Sequence, residues 1–391
     1  MSATPPPVDA ALHELRRLVA FPTITRGPNL ELIEHARERL EGLGVPCHRT
    51  FDDTGTKANL FASFGPTDRP GVVLSGHTDV VPVEGQDWSS DPFEVVEREG
   101  RHYGRGTADM KSFLAVPLAM AEWIAGQELK RPLHLALSYD EEIGCVGVRR
   151  MLAKLGEYCA TPAACIVGEP TGMRVMTGHK GKRMLRCRVK GVAGHSSHPE
   201  RGVNAIEHAA ELVVRLRAVA RRLMREGPFD EGFDPPFTTL QTGTIRGGVA
   251  VNIVPADCVF ELEVRHLPGH APEAILEEAK AFAERELLPE MRAVSEEAGF
   301  AWEEVVRYPG LDTPVDADVV KMVSGLVGEE APGRVSFGSE AGLFSGLGVP
   351  SVVCGPGSIA QAHRPDEFVE REQVARCQEM VERLVAQLAT A

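Results

Sequence analysis

Apolar residues recur along the first half of the chain with two alternating periods. Asp9–Phe21 (DAALHELRRLVAF) and Leu30–Gly44 (LELIEHARERLEGLG) carry them at helical spacing, the second ending on glycines. Short unbroken apolar runs follow: Gly71–Ser75 (GVVLS), Leu133–Tyr139 (LHLALSY) and Ala164–Gly168 (ACIVG). Between the first two, the spacing predicts an apolar helix over Phe113–Trp123. Runs this short and this apolar suit strands buried on both faces. Alternating with helices, they predict an α/β fold around a mostly parallel sheet.

Near Lys182 the period changes. RMLRCRVKGV alternates polar and apolar residues, as a half-solvated strand does, and a helix is predicted over Val203–Arg222. Two more alternating stretches follow (Thr239–Arg246 and Cys258–Arg265), then a helix over Pro272–Glu290 and a short strand over Trp302–Val306. The order β-α-β-β-α-β predicts a ferredoxin-like α+β sandwich. After it the first pattern returns, with SVVCGPG as another buried strand and Arg371–Leu388 as a final helix. The expected organisation is a split α/β domain, 1–181 and 308–391, interrupted by an inserted domain, 182–307.

Composition narrows the partners. The chain has 391 residues, 43% hydrophobic and 25% charged, enough for two domains with cores of their own. A formal net charge of -14 argues against nucleic acid or an anionic membrane surface as partner. The opening MSATPPPVDA has neither a basic segment nor an apolar one, so no signal peptide is expected, and no apolar run approaches the length of a membrane span. The eight cysteines form no CxxC pair and several lie in strand-like runs, which suits reduced, buried thiols in a cytoplasmic protein.

The polar residues that end the apolar runs carry the chemistry. GVVLS runs into Gly76-His77-Thr78-Asp79, LHLALSY into Asp140-Glu141-Glu142, ACIVG into Glu169-Pro170-Thr171, and SVVCG leads through a Gly/Pro loop to His363. Open α/β sheets bind their ligands at the carboxyl ends of the strands. Taken singly, each residue has an ordinary explanation: His77 and His363 as loop histidines, Asp109 as a helix N-cap, Glu141-Glu142 as an exposed acidic turn, Glu169 as a turn acid, Asp366-Glu367 as capping residues. Together they put histidines and carboxylates at one edge, a donor set of nitrogen and oxygen that suits zinc, with cobalt or manganese as substitutes.

Seven segments extend the pattern: GHTDVVP, GRGTADMKS, DEE, GEPTG, VKGVAGHSSHPERGVNAI, VNIVPADC and GPGSIAQAHRPDEF. In order and spacing they resemble the acetylornithine deacetylase / succinyl-diaminopimelate desuccinylase family of di-metal amidohydrolases, over nearly the whole chain. The GHSS and AHRPDEF segments resemble the acetylornithine deacetylases in particular. The resemblance implies a zinc-peptidase-like catalytic domain and an inserted lid domain that makes a homodimer. It implies two divalent metal ions, one held by His77, Asp109 and Glu169, the other by Asp109, Glu142 and His363. Asp79 would orient His77, Glu141 would be the catalytic base, and His195 would stabilise the oxyanion in the partner subunit's site. Arg265, Asn252 and Ser339 match substrate-side positions, while His198 reads as a surface residue.

The implied reaction is hydrolysis of the amide of an N-acyl amino acid, with N-acetyl-L-ornithine, cleaved to ornithine and acetate in arginine biosynthesis, as the favoured substrate. Two divalent ions activate water at neutral pH. Their four positive charges are offset by three ligand carboxylates and one hydroxide. Desuccinylases, carboxypeptidases and aminoacylases share such a site. Ser-Glu-Ala in SFGSEAGLF favours the deacetylase over the Thr-Ser-Asp of desuccinylases. A catalytically dead homologue would lack a ligand or the base, and all are present here.

Overall fold

The computed structural model describes residues 4–329 and 331–390. Its contacts divide the chain into two compact units. The first runs to Gly178, resumes over Leu311–Arg334 and again from Ser339; the second is His179–Gly310 with Val335–Gly338. That short return belongs to the second unit for a local reason. Ser336 Oγ donates to the Asp234 carbonyl at 2.5 Å, and Gly338 lies so close to Tyr308 that a Cβ there would sit 2.2 Å from the ring.

The first unit is built on a mixed, mostly parallel sheet. The strands Leu133–Ser138, Val72–His77, Ala164–Val167 and Ser351–Val353 lie side by side in that order, all parallel. Antiparallel strands extend it on both sides: Ala58–Phe64 and Cys47–Phe51 beyond Leu133–Ser138, and Met176–His179 beyond Ser351–Val353. The four central strands are buried on both faces, as their unbroken apolar sequences require. The core gathers Leu74, Phe113, Leu135, Ile166 and Val352 with the inward faces of the terminal helices Val8–Val19 and Arg371–Thr390.

The helix expected over Phe113–Trp123 is two pieces, Lys111–Ala119 and Ala121–Ala125, broken at Met120. Pro117 has no amide hydrogen to give the preceding turn, and the second piece restarts four residues later. The first piece packs directly on the strand ends. A Cβ on Gly76 would lie 2.6 Å from Met110 Cε and 2.9 Å from Leu114; one on Gly168 would penetrate the Phe113 ring at 1.9 Å. These two glycines immediately precede His77 and Glu169. Their missing side chains let the helix, and Asp109 just before it, close on both strand ends.

The second unit is a four-stranded antiparallel sheet ordered Thr239–Gly247, Asp257–His266, Gly181–Lys190, Gly299–Tyr308. The helices Ala205–Glu226 and Pro272–Phe282 cover one face, giving the ferredoxin-like order, with Cys187, Phe260, Leu262, Leu212 and Leu276 in its core. The helix predicted over Pro272–Glu290 is interrupted: a π turn, Ala283–Leu287, separates it from Leu288–Val294. Pro289 lies in the first turn of the last piece, where its missing donor costs nothing. The predicted short strand at Trp302–Val306 spans all of Gly299–Tyr308.

Candidate metal centre

Four neighbouring parallel strands deliver the candidate ligands in spatial order. Glu141 and Glu142 follow Leu133–Ser138, His77 ends Val72–His77, Glu169 follows Ala164–Val167, and His363 lies in the loop after Ser351–Val353. Asp109 enters from the turn before Lys111–Ala119. His77, Asp109 and Glu169 are buried, whereas the His363 side chain is 52% exposed, so the site opens on that side.

Asp109 lies between the two histidines. Its Oδ1 is 3.0 Å from His77 Nε2 and its Oδ2 is 3.4 Å from His363 Nε2. Glu142 joins the His363 side, with Oε2 3.1 Å from His363 Nε2. Glu169 joins the other, with Oε1 4.0 Å from His77 Nε2. Glu141 is in ligand range too, since one of its oxygens can share a cluster with His77 and Glu169 in which all donor atoms lie within 4.8 Å of one another. Its neighbour Glu142 does the same with His77 and Asp109. Both groups share His77, and Glu142 also reaches His363.

Hydrogen bonds fix these directions. The His77 Nδ1–H donates to the Asp79 main-chain carbonyl at 2.8 Å, which turns Nε2 towards Asp109 as the atom that would offer its lone pair to a metal ion. The Asp79 carboxylate is 3.6 Å from Nδ1 and serves mainly elsewhere. It accepts the backbone N–H of Glu141 at 3.0 Å, that of Glu142 at 3.3 Å, and the Thr25 hydroxyl at 3.0 Å. The turn carrying the glutamates needs such ties because Asp140 has φ +53. The Asp140 carboxylate pairs with Lys57 and accepts the Arg26 N–H at 2.8 Å. The Cys145 thiol donates to Glu141 Oε1 at 3.2 Å.

The electrostatics suit cations. Burial pushes the Glu141 carboxyl up to about 8, with Glu142 and Glu340 nearby adding repulsion. Burial and the Asp109 charge raise Glu142 and Glu169 as well. For Asp109, burial is outweighed by hydrogen bonds from His363 and His77, which hold its carboxyl well below the usual range. Hydrogen bonds to Asp109 and Glu142 push His363 up to about 10. Five buried or half-buried carboxylates around two imidazoles is an excess of negative charge that a pair of divalent ions would relieve. The nitrogen and oxygen donors, and a carboxylate with one oxygen towards each histidine, fit two such ions.

Other expected site residues fall as follows. In the second unit, exposed His195 makes a β-bridge with Ile253, beside exposed Asn252, whose carbonyl accepts the Ser196 N–H at 3.2 Å. His195 Nδ1 accepts the Ser197 N–H at 3.1 Å, so in the neutral ring the proton sits on Nε2. Arg265 Nε donates to Glu263 at 2.7 Å. Ser339, in the first unit, is buried, and its hydroxyl accepts the Ala341 N–H at 3.2 Å. His198 is exposed.

Sequence reasoning passed over two buried carboxylates. Glu340 accepts the Ser75 hydroxyl at 3.0 Å and the Ser138 hydroxyl, one from each of two ligand-bearing strands. Glu367, read as a capping residue of the following element, instead accepts the N–H groups of Ala108 at 2.9 Å and Asp109 at 3.0 Å. Its only sequence signal was its place four residues after His363.

Comparison with known proteins shows the family. The model of peptidase family M20/M25/M40 matches residues 73–387, and the chain belongs to that family of metallo-hydrolases. It is 39% identical over 396 residues to an acetylornithine deacetylase of Myxococcus xanthus, covering 99% of this chain and 98% of that one. It is 35% identical to the acetylornithine deacetylase of Proteus mirabilis, over 95% and 94% of the two chains. Among solved structures, a Staphylococcus aureus tripeptidase superposes with TM-score 0.75 at 22% identity, covering 98% and 99% of the two chains. A dinuclear metal-binding M20 peptidase of Bacillus subtilis superposes at 0.67 with 14% identity, covering 98% of each chain. No helix among the described residues is long and apolar enough to cross a membrane.

Proposed function

We propose that this hydrolase cleaves N-acetyl-L-ornithine to L-ornithine and acetate, with two zinc ions bound by His77, Asp109 and Glu169 on one side and Asp109, Glu142 and His363 on the other. The observation that carries the di-metal reading is the Asp109 carboxylate, one oxygen towards each histidine. The choice of substrate is supported by the names of relatives aligned over nearly the full chain.

The ions, when bound, supply an activated water and a positive field at the scissile carbonyl. Glu141 takes the proton of the attacking water and returns it to the leaving amine. Asp79 holds the Glu141–Glu142 turn by both N–H groups. His195 donates its Nε2–H to the oxyanion, and Arg265, Asn252 and Ser339 serve the substrate side.

The second unit is the dimer-forming unit in this reading, and two of its features favour a second copy. Thr239–Gly247 is an edge strand, with exposed Ile245 and, just beyond it, Val249 and Val251. The helix packed over it, Ala205–Glu226, shows solvent an outward stripe of Glu207, Glu211, Val214, Ala218, Arg221 and Arg225. Acidic at one end, basic at the other and apolar between, that stripe complements itself when two copies meet antiparallel about a two-fold axis. A cytoplasmic location agrees with the eight cysteines, all free.

Turnover of N-acetylornithine, N-acetylcitrulline and N-succinyl-diaminopimelate by protein of measured metal content tests the substrate. The first should be cleaved fastest. Preference for the succinyl substrate would overturn the assignment and leave the di-metal site standing.

A further inference from the structure

One hydrogen-bonded network ties the Asp109 turn to the His363 loop without supplying a ligand. It starts at Glu367, 1% exposed, whose Oε1 holds the N–H groups of Ala108 and Asp109 and whose Oε2 accepts Arg105 Nη1 at 2.7 Å. Arg105, also 1% exposed, donates through Nη2 to Gln86 Oε1 and lies over the Trp88 ring at 5.0 Å. The network closes at Gln86, whose Nε2 donates to the His363 carbonyl at 3.0 Å. Two flanking bonds reinforce it: Arg105 Nη1 reaches the Arg364 carbonyl at 3.3 Å, and the Ser89 N–H and hydroxyl both reach Asp366 Oδ1 at 2.9 Å.

The loop has a physical need for such ties. His363 has φ +63 and Asp366 φ +54, left-handed backbone that residues with side chains rarely adopt. Surrounding contacts must hold such a conformation in place. The Arg105–Glu367 pair is an inefficient way to stabilise a core, since an apolar pair of equal size does as well. What it adds is direction: one carboxylate oxygen aimed at the Asp109 turn and one guanidinium aimed at the loop that carries His363.

We propose that Gln86, Arg105 and Glu367 form a positioning frame that sets the separation of Asp109 and His363, and through it the affinity for the second metal ion. The inference rests on the di-metal reading above. None of the three residues contacts the ion or the substrate; they act through the main chain of the two ligands. The frame has a division of labour. Glu367 fixes Asp109, Gln86 fixes His363, and Arg105 couples the two.

Gln86 is half-buried on a surface loop, so its variants should fold. Gln86→Ala and Gln86→Glu are compared with wild type by cobalt(II) titration of chelator-stripped protein. The readouts are visible absorption, metal stoichiometry and thermal melting. Wild type should bind two ions. Gln86→Ala should bind the first with unchanged affinity and the second about tenfold to a hundredfold more weakly, with an altered absorption band for the second equivalent. Gln86→Glu can still accept from Arg105 but cannot donate to the His363 carbonyl, so it should be weakened similarly. Wild-type affinity in both variants overturns the frame. Recovery by glutamate alone overturns it too, since the bond to the His363 carbonyl would then be dispensable. Failure of wild type to take up two ions would instead overturn the di-metal reading beneath it.

Discussion

Replacing Glu141 by glutamine separates chemistry from stability, because the two should move in opposite directions. The substitution keeps the shape, the oxygen that accepts the Cys145 thiol, and the backbone N–H held by Asp79. It leaves His77, Asp109, Glu142, Glu169 and His363 intact, so two ions should still bind. Losing a general base costs about 10²–10⁴ in rate, roughly 3–5 kcal/mol of transition-state stabilisation. Stability should gain. Burial raises the Glu141 carboxyl from 4.5 to about 8 in the metal-free fold. A carboxyl raised on folding contributes stability below its unfolded value, near 4.5, and loses it as pH climbs through 8. At about 1.4 kcal/mol per pH unit, ionising Glu141 in place costs on the order of a few kcal/mol, and glutamine never incurs that cost. Metal-free Glu141→Gln should therefore unfold at higher denaturant than wild type at pH 9 and nearly coincide with it at pH 4.5. The assays are metal analysis, turnover of N-acetylornithine and denaturant melts at the two pH values. Near-normal turnover would refute the assignment of the base. Loss of metal together with activity would mean that Glu141 is a ligand.

Four further outcomes are expected. His363→Ala should lower the metal content from two ions per chain towards one, by elemental analysis, because His77, Asp109 and Glu169 remain. Chelated wild-type protein should melt at falling temperature between pH 6 and pH 9, as Glu141 ionises near 8 and His363 begins to lose its proton towards 10; two equivalents of divalent ion should flatten that slope in a calorimeter. His195→Ala should be folded but slow, and mixing it with an inactive metal-site variant should restore activity in verified heterodimers; no recovery would place the whole site in one chain. Val214→Glu, at the apolar centre of the outward helix stripe, should give a monomer by light scattering, since it sets two like charges against each other across the two-fold axis.

The candidate ligands were legible because an unbroken apolar run followed by a histidine or acid marks the carboxyl end of a buried parallel strand. Their second layer was not. Glu367 and the Asp109 N–H it holds are 258 residues apart, and no local pattern joins them. Asp79 sits in an HxD pattern that suggests a carboxylate behind a histidine, yet its main-chain oxygen takes that place while the carboxylate holds the next strand's turn. Ala58–Phe64 escaped notice although every residue in it is buried. Asn59 and Ser63 break its apolar run, and each finds an internal partner, the Gly147 carbonyl at 2.9 Å and His134 Nδ1 at 2.8 Å. Pro117 and Pro289 lie near the two helix breaks, but an apolar period continues across a proline while the hydrogen-bond ladder does not.

The most direct test of the di-metal account is a metal titration of the chelated enzyme, followed by release of acetate from N-acetyl-L-ornithine. The account predicts no turnover without metal, two divalent ions bound per chain at saturation, and full turnover in that state. Undiminished amide hydrolysis by metal-free protein, or saturation without hydrolysis of any N-acyl amino acid, would contradict it.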